Sequence, residues 1–146
     1  PLIVGFGESV KLAYQHDMEE IQHIKNLRDQ LLIGLQSNIQ NIIINGDMDS
    51  RLDGNLNISI PNINGEALIM RLEKISVSTG SACTSSIIAP SHVLKALGLS
   101  DELANSTIRF GIGRFNTNKD IETAIELVST VVQKLKNNRK ILRLVS

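Results

Sequence analysis

The amino-terminal part of the chain has apolar residues at the spacing of one face of an α-helix. Successive apolar positions are three or four residues apart, and most of the charged residues between positions 16 and 29 fall off this stripe. The stripe consists of Val10, Tyr14, Met18, Ile21, Ile24, Leu27, Leu31 and Leu35. We therefore predict one long helix, in which Gly34 is tolerated at a cost of about 1 kcal/mol relative to alanine.

Four short segments further along have the pattern of β-strands, either apolar throughout or with apolar and polar residues alternating. They are residues 42–44, 56–60, 75–79 and 108–112. Turn-forming pairs such as Asn45-Gly46 and Asp53-Gly54 separate the first two segments.

Three further helices are predicted between and after these strands. One covers residues 66–73, and the next starts after Pro90 and ends at Gly98, a usual place for a glycine. The last begins near Thr117 and Asp120, which resemble a capping box. Its apolar stripe consists of Ile121, Ile125, Val128, Val132 and Leu135.

This order of elements predicts an α+β fold, with a short, mostly antiparallel sheet and helices packed on one of its faces. The length of 146 residues suits one domain, 1–146, and we see no internal repeat or linker. Such a layer leaves one edge or face of the sheet exposed, so the chain is expected to be part of a larger assembly.

Composition and charge exclude several classes of protein. Apolar residues are 42% and charged residues 21% of the chain, which is the balance of a soluble globular protein. The 15 basic and 15 acidic residues give no net charge, so nothing indicates nucleic acid or an anionic membrane as partner. No apolar run approaches the roughly 18 residues that span a bilayer, and no signal peptide is recognisable.

The only cysteine, Cys83, lies in a run of small residues that follows strand-like alternation. A structural cysteine is usually packed among bulky apolar side chains, whereas the small neighbours at 80–86 would leave a thiol uncovered. A nucleophile and an inert thiol both stay open from the residues alone, because reactivity depends on a pKa that the sequence does not give. One cysteine cannot form an internal disulfide, and a reducing compartment is the simpler expectation.

Three blocks of sequence resemble the C-terminal domain of cysteine desulfurases, most closely the enzymes of bacterial and mitochondrial iron–sulfur cluster assembly. The blocks are SVSTGSACTS at 76–85, PSHVLKALGL at 90–99 and STIRFGIGRF at 106–115. The resemblance covers nearly the whole chain, and the length after Cys83 is similar to the subgroup with a long cysteine loop. It implies the small domain of a fold-type I enzyme that depends on pyridoxal phosphate.

The resemblance implies a reaction in which L-cysteine forms an imine with pyridoxal phosphate and an enzyme cysteine attacks the substrate sulfur. The products are L-alanine and an enzyme persulfide. The position that matches the nucleophile is Cys83, which would attack far better as a thiolate. The position that matches the substrate-carboxylate binder is Arg109, whose planar guanidinium can hold a carboxylate through two parallel hydrogen bonds.

The resemblance also implies functional residues that this chain does not contain. The family's cofactor lysine belongs to a large domain upstream of the segment that matches Pro1, so we expect no cofactor-binding residue here and no turnover by the isolated chain. The intact enzyme is expected to be a homodimer that passes sulfur to an iron–sulfur scaffold protein or other acceptors. It is expected in the bacterial cytoplasm or the mitochondrial matrix.

Other assignments of function and of single residues stay open. A non-catalytic persulfide carrier or interaction module, or an inactive remnant of a split gene, fits the same sequence. By sequence alone, Arg109 is better explained as a surface arginine on an edge strand, and Arg114 as a structural or surface charge. The three histidines, His16, His23 and His92, lack metal-ligand spacing, so no metal site is expected.

Overall fold

The computed structural model describes residues 1–15, 18–79 and 91–145, and this part of the chain is α+β as predicted. The helices are α1 Leu2–Tyr14, α2 Met18–Asn38, α3 Gly65–Ile69, α4 His92–Ala96, α5 Asp101–Asn105 and α6 Asn118–Val145. The strands are β1 Ile43–Ile44, β2 Asn55–Ser59 and β3 Thr107–Gly111.

The three strands form an antiparallel sheet in the order β1-β2-β3. Successive side chains of a strand point to opposite faces, so the alternation along β2 and β3 gives the sheet one apolar and one polar face. Ile58 and Ile108 are cross-strand partners on the apolar face, and both are fully buried. Asn57 and Arg109 are partners on the polar face.

The long helices α2 and α6 pack over the apolar face of the sheet. α2 packs along α6 and against β2, while α3 packs against α6 and β3. The two long helices approach closely at Gly34, where an added Cβ would lie 2.3 Å from Cδ1 of Ile125. The core between the layers includes Leu27, Leu31, Leu35, Leu56, Ile58, Leu68, Ile108, Val128 and Val132. The predicted packing of helices on one face is therefore confirmed.

The prediction of one long amino-terminal helix is wrong, because α1 ends at Tyr14 and α2 begins at Met18. The predicted stripe is buried only in its second half, where it faces α6. Val10 and Tyr14 are 40% and 79% exposed, and α1 buries none of its residues within the described part of the chain. The regular spacing thus continues across two helices, of which only α2 has buried residues in the described part of the chain.

Other elements follow the predictions more closely. The capping box is confirmed, since the Thr117 N–H donates to Asp120 Oδ2 (2.8 Å) and the Asp120 N–H donates to Thr117 Oγ1 (3.3 Å). Gly98 has a φ of +83°, which a residue with a side chain rarely adopts. The segment predicted as a strand at 75–79 makes a single bridge, at Ser78, instead of a strand. α5 was not predicted, and Ser100 caps it.

Candidate active site

Arg109 lies in the middle of β3 on the polar face of the sheet, with its side chain exposed. Its neighbours Ile108 and Phe110 point to the other face and are buried in the core. Burial of these two side chains fixes the outward direction of Arg109, as the alternation of the sequence predicted.

Ser78 lies next to Arg109 on the side of β3 away from β2. The Arg109 N–H donates to Ser78 O (2.8 Å), and the Ser78 N–H donates to Arg109 O (3.2 Å). The side chains add a third bond, from Arg109 Nε to Ser78 Oγ (3.2 Å). Neither terminal guanidinium nitrogen of Arg109 donates to another described residue, so this edge of the guanidinium can bind an anion.

Asn57 is the neighbour of Arg109 on the other side, in β2. Asn45 follows β1 and comes next to Asn57, since its N–H donates to Asn57 O (2.9 Å). Asn45, Asn57, Arg109 and Ser78 therefore form one line of side chains across the polar face, which we call the polar row.

A buried set of hydrogen bonds supports the Asn45 end of the polar row. Asn45 Nδ2 donates to Asn57 Oδ1 (2.8 Å) and to Ser59 Oγ (2.9 Å). Ser59 Oγ is also 2.8 Å from Thr107 Oγ1, which donates to Leu103 O (3.0 Å). Buried polar groups are costly unless they are paired, so these contacts hold the amide of Asn45 in one orientation.

The loop after β1 fixes the backbone of Asn45. Arg51 Nη2 donates to Asn45 O (2.9 Å), and the backbone N–H groups of Asp49 and Ser50 donate to Asp47 Oδ1 (2.6 and 2.8 Å). The bonds from Ser50 and Asp49 hold the pKa of the Asp47 carboxyl below its usual range. Burial lowers the pKa of Arg51, and the nearby charge of Arg28 lowers it further.

The predicted nucleophile, Cys83, lies outside the described residues.

Arg114 and His23, which the sequence also singled out, have structural contacts. Arg114 forms an ion pair with Glu20 (3.0 Å), which ties the end of β3 to α2. His23 Nε2 is 3.2 Å from the backbone oxygen of Asn116 in the same region. His16 lies outside the described residues. Among residues 1–15, 18–79 and 91–145, no cluster of three or more acidic, histidine or cysteine side chains could hold a metal ion.

The described side chains do not fit a covalent site for pyridoxal phosphate. Such a site needs a lysine that is held within a cavity and reaches the cofactor. No lysine lines any of three surface cavities of about 500, 380 and 430 Å³. Lys95 is paired with Asp101 and Lys11 with Glu8, both at the surface.

Sequence reasoning missed Asn45, Asn57 and Ser78 as neighbours of Arg109. Asn57 alternates with buried Leu56 and Ile58, a signal that places it on the polar face. The pattern of each strand says which face a residue occupies, but it does not say which residue of another strand stands beside it. That second fact depends on the pairing of β2 with β3.

Comparison with known proteins places the chain among enzymes of one family. The profile of class-V aminotransferases matches residues 1–124. A cysteine desulfurase from Ruthia magnifica, named IscS, is 53% identical over 135 residues, which cover 92% of this chain and 33% of the relative. A mitochondrial cysteine desulfurase from Arabidopsis thaliana is 46% identical over 134 residues, or 92% of this chain and 30% of the relative.

Solved structures give the same relationship. A NifS-like protein from Rickettsia africae superposes with a TM-score of 0.77 at 31% identity, covering 90% of this chain and 34% of that one. The chain thus spans about a third of the length of the curated relatives it matches. Within the described residues, no helix has the length and apolar character that crossing a membrane requires.

Proposed function

The chain belongs to the class-V aminotransferase family, and on this premise we propose that it is the C-terminal domain of a cysteine desulfurase. In this proposal Cys83 takes sulfur from L-cysteine as a persulfide, and Arg109 holds the carboxylate of the substrate. The relatives named as cysteine desulfurases support an enzyme in preference to a non-catalytic persulfide carrier or an inactive remnant.

The observation that carries the proposal is the position of Arg109. Its guanidinium is exposed on a polar face, and its Nε is bonded to Ser78. The terminal nitrogens of an arginine held in this way match the two oxygens of a carboxylate. Ser78 is also five positions before Cys83 in the sequence.

The proposed chemistry of Cys83 transfers one sulfur atom. The thiolate attacks the sulfur of bound L-cysteine, and a sulfur–sulfur bond forms while the bond from that sulfur to the β-carbon breaks. The β-carbon takes up a proton and becomes the methyl group of L-alanine. The thiol of Cys83 and L-cysteine together therefore give a persulfide and L-alanine, and no separate oxidant or reductant is consumed.

The remaining parts of the enzyme follow from the resemblance. Pyridoxal phosphate would be held by the rest of the polypeptide, in a homodimer that passes sulfur to an iron–sulfur scaffold protein or another acceptor. The relatives come from bacteria and from a plant mitochondrion, which supports a place in the bacterial cytoplasm or the mitochondrial matrix.

A chimeric enzyme tests the proposal directly. In this chimera, the matching 135 residues of the full-length Ruthia magnifica relative are replaced by those of this chain. With L-cysteine, mass spectrometry should find one extra sulfur atom on Cys83, together with an equivalent of L-alanine. Cys83→Ser should remove the persulfide and still bind L-cysteine, because serine is a much weaker nucleophile at neutral pH. Sulfide release by Cys83→Ser at the parent's rate would contradict the role of Cys83.

A further inference from the structure

Asn57, the cross-strand partner of Arg109, has a side-chain hydrogen-bond donor of its own. We propose that Asn57 Nδ2 binds the carboxylate of the substrate together with Arg109, so that the site recognises an α-carboxylate through two side chains on adjacent strands. This inference rests on the proposed function for the identity of the substrate. The contact itself depends only on the geometry of the polar row.

The pairing of the strands makes Asn57 and Arg109 a cross-strand pair of the closer of two kinds. The Ile60 N–H donates to Ser106 O (3.0 Å), and the Ile112 N–H donates to Gly54 O (2.8 Å). Hydrogen-bonded and non-hydrogen-bonded pairs alternate along antiparallel strands, so Asn57 and Arg109 form a pair of the second kind. The α-carbons of such a pair are about 4.5 Å apart, and their side chains lie closer than in the other kind.

The amide of Asn57 has a fixed orientation. Its Oδ1 accepts a bond from Nδ2 of Asn45 (2.8 Å), and Asn45 is itself 4% exposed and held by Ser59. Because Asn45 lies on the β1 side of Asn57, this bond leaves the Nδ2 of Asn57 on the side away from β1. Arg109 lies on that side.

Both residues of this cross-strand pair therefore carry unused donors. Asn57 Nδ2 donates to none of the described residues, and the same holds for the terminal nitrogens of Arg109. A carboxylate accepts about four hydrogen bonds on its two oxygens, so it can take two from the guanidinium and still accept one from an amide. The bond from Nε to Ser78 Oγ keeps the guanidinium in place while the anion binds.

The polar face also leaves room for a ligand beside this pair. Gly111 is two residues beyond Arg109 on the same face, and an added Cβ there would meet no atom within 4 Å. Its cross-strand partner is Asn55. Asn55 is thus on the same strand and the same face as Asn57 but is not paired with Arg109, which makes it a matched control.

Equilibrium binding to the chimera, loaded with its cofactor, tests the contact. The ligands are L-alanine, which carries the carboxylate, and cysteamine, which is L-cysteine without it. Asn57→Ala should weaken L-alanine binding about 10- to 100-fold, the usual range for a hydrogen bond to a charged group. Cysteamine binding should change less than about 3-fold, and Asn55→Ala should leave both ligands within the same limit.

A second variant guards against loss of fold, which thermal unfolding would reveal. Asn57→Asp keeps an oxygen for Asn45 Nδ2, but it replaces the donor with a negative charge next to Arg109. It should weaken L-alanine binding more than Asn57→Ala does, again with little effect on cysteamine. In an Arg109→Lys background, Asn57→Ala should cause a further loss, since the amide contacts the carboxylate itself.

The outcomes separate this contact from the proposed function. Equal L-alanine affinities of Asn57→Ala and Asn55→Ala would overturn the contact, and so would the absence of a further loss in the Arg109→Lys background. A chimera with the expected differences in binding but no persulfide on Cys83 would support the contact and overturn the proposed function. A chimera that forms the persulfide while Asn57→Ala binds L-alanine like the parent would support the proposed function and overturn the contact.

Discussion

Arg109 and Ser78 are joined by three hydrogen bonds, two between their backbones and one from Nε to Oγ. The guanidinium of Arg109 is therefore held by its inner nitrogen, and its outer edge is directed at solvent. A lysine at this position has a single nitrogen, so it cannot offer two parallel N–H donors to a carboxylate while a third nitrogen stays bonded to Ser78.

Arg109→Lys in the chimera should lower kcat/KM for L-cysteine by a factor that corresponds to about 2–4 kcal/mol. The effect should be mainly on KM, because the lost contact binds the substrate. Steady-state sulfide release at several L-cysteine concentrations measures both constants. Arg114→Lys is the matched control, since lysine can keep the ion pair with Glu20, and a loss as large as that of Arg109→Lys would contradict the assignment.

The isolated chain should bind no pyridoxal phosphate covalently and should show no desulfurase turnover. The physical reason is that no lysine lines the three cavities described above, where protein groups could orient the cofactor. Absorbance spectra after addition of cofactor, followed by borohydride reduction and peptide mapping, measure the label. A stoichiometric label on one lysine, with L-alanine formed from L-cysteine, would show the prediction to be wrong.

The isolated chain should self-associate through α1. This helix carries several large apolar residues that are mostly exposed, among them Ile3 (88%) and Phe6 (73%). Contiguous apolar surface of this kind is unusual on soluble monomers. Light scattering over a range of concentrations should show association, and Ile3→Ser with Phe6→Ser should reduce it.

Leu52→Ser is the control for association, because Leu52 is 79% exposed and lies outside α1. It should scatter light as the parent does. A parent that is monomeric at all concentrations, with a sharp and concentration-independent unfolding transition, would count against the prediction.

Gly34→Ala should lower the free energy of unfolding by up to about 2 kcal/mol, because overpacking costs about 1–3 kcal/mol and the helix preference of alanine offsets about 1 kcal/mol of it. The added methyl group would meet Cδ1 of Ile125 across the α2–α6 contact. Gly5→Ala is a matched control in α1, where an added Cβ meets nothing within 4 Å, and it should be neutral or stabilising because alanine favours a helix by about 1 kcal/mol. Denaturant titration measures the change in the free energy of unfolding for each variant and so distinguishes destabilisation from stabilisation. Equal changes in the two variants would exclude close packing at Gly34.

Acid should weaken the start of α6. The backbone N–H and the hydroxyl of Thr117 both donate to Asp120, which lowers the pKa of that carboxyl. A lowered pKa in the folded state means that the stabilisation is complete above the usual aspartate pKa of about 3.9 and is lost as the pH falls through the lowered value. Thermal unfolding below about pH 4 should therefore depend less on pH in Asp120→Asn than in the parent. Parallel curves for the two proteins would contradict this.

The sequence was sufficient for the features that depend on one element alone. Alternation along 108–112 predicted that Arg109 would point away from the core, and the residue types Thr117 and Asp120 predicted their reciprocal cap. Both are local, because the deciding contacts join residues a few positions apart.

Features that depend on distant contacts could not be predicted in the same way. The stripe of the first 35 residues does not reveal that α1 buries none of its residues in the described part of the chain, because apolar spacing indicates a helix face but not what packs against it. The polar row, from Asn45 to Ser78, joins four separate segments of the chain. The register between neighbouring strands cannot be read from the pattern of any one strand.

The pairing of Leu56 with Phe110 and of Ile58 with Ile108 means that substitutions in the core can affect ligand binding. A shift of one residue in the register of β3 against β2 would move each side chain of β3 to the opposite face of the sheet. Phe110 would then be exposed to water and Arg109 would be buried in the apolar core. The apolar side chains of these strands therefore determine on which face the guanidinium of Arg109 lies, although none of them could touch a substrate. Substitutions at Leu56, Ile58 or Ile108 that leave the protein folded but loosen this alignment would alter ligand recognition from the opposite side of the sheet.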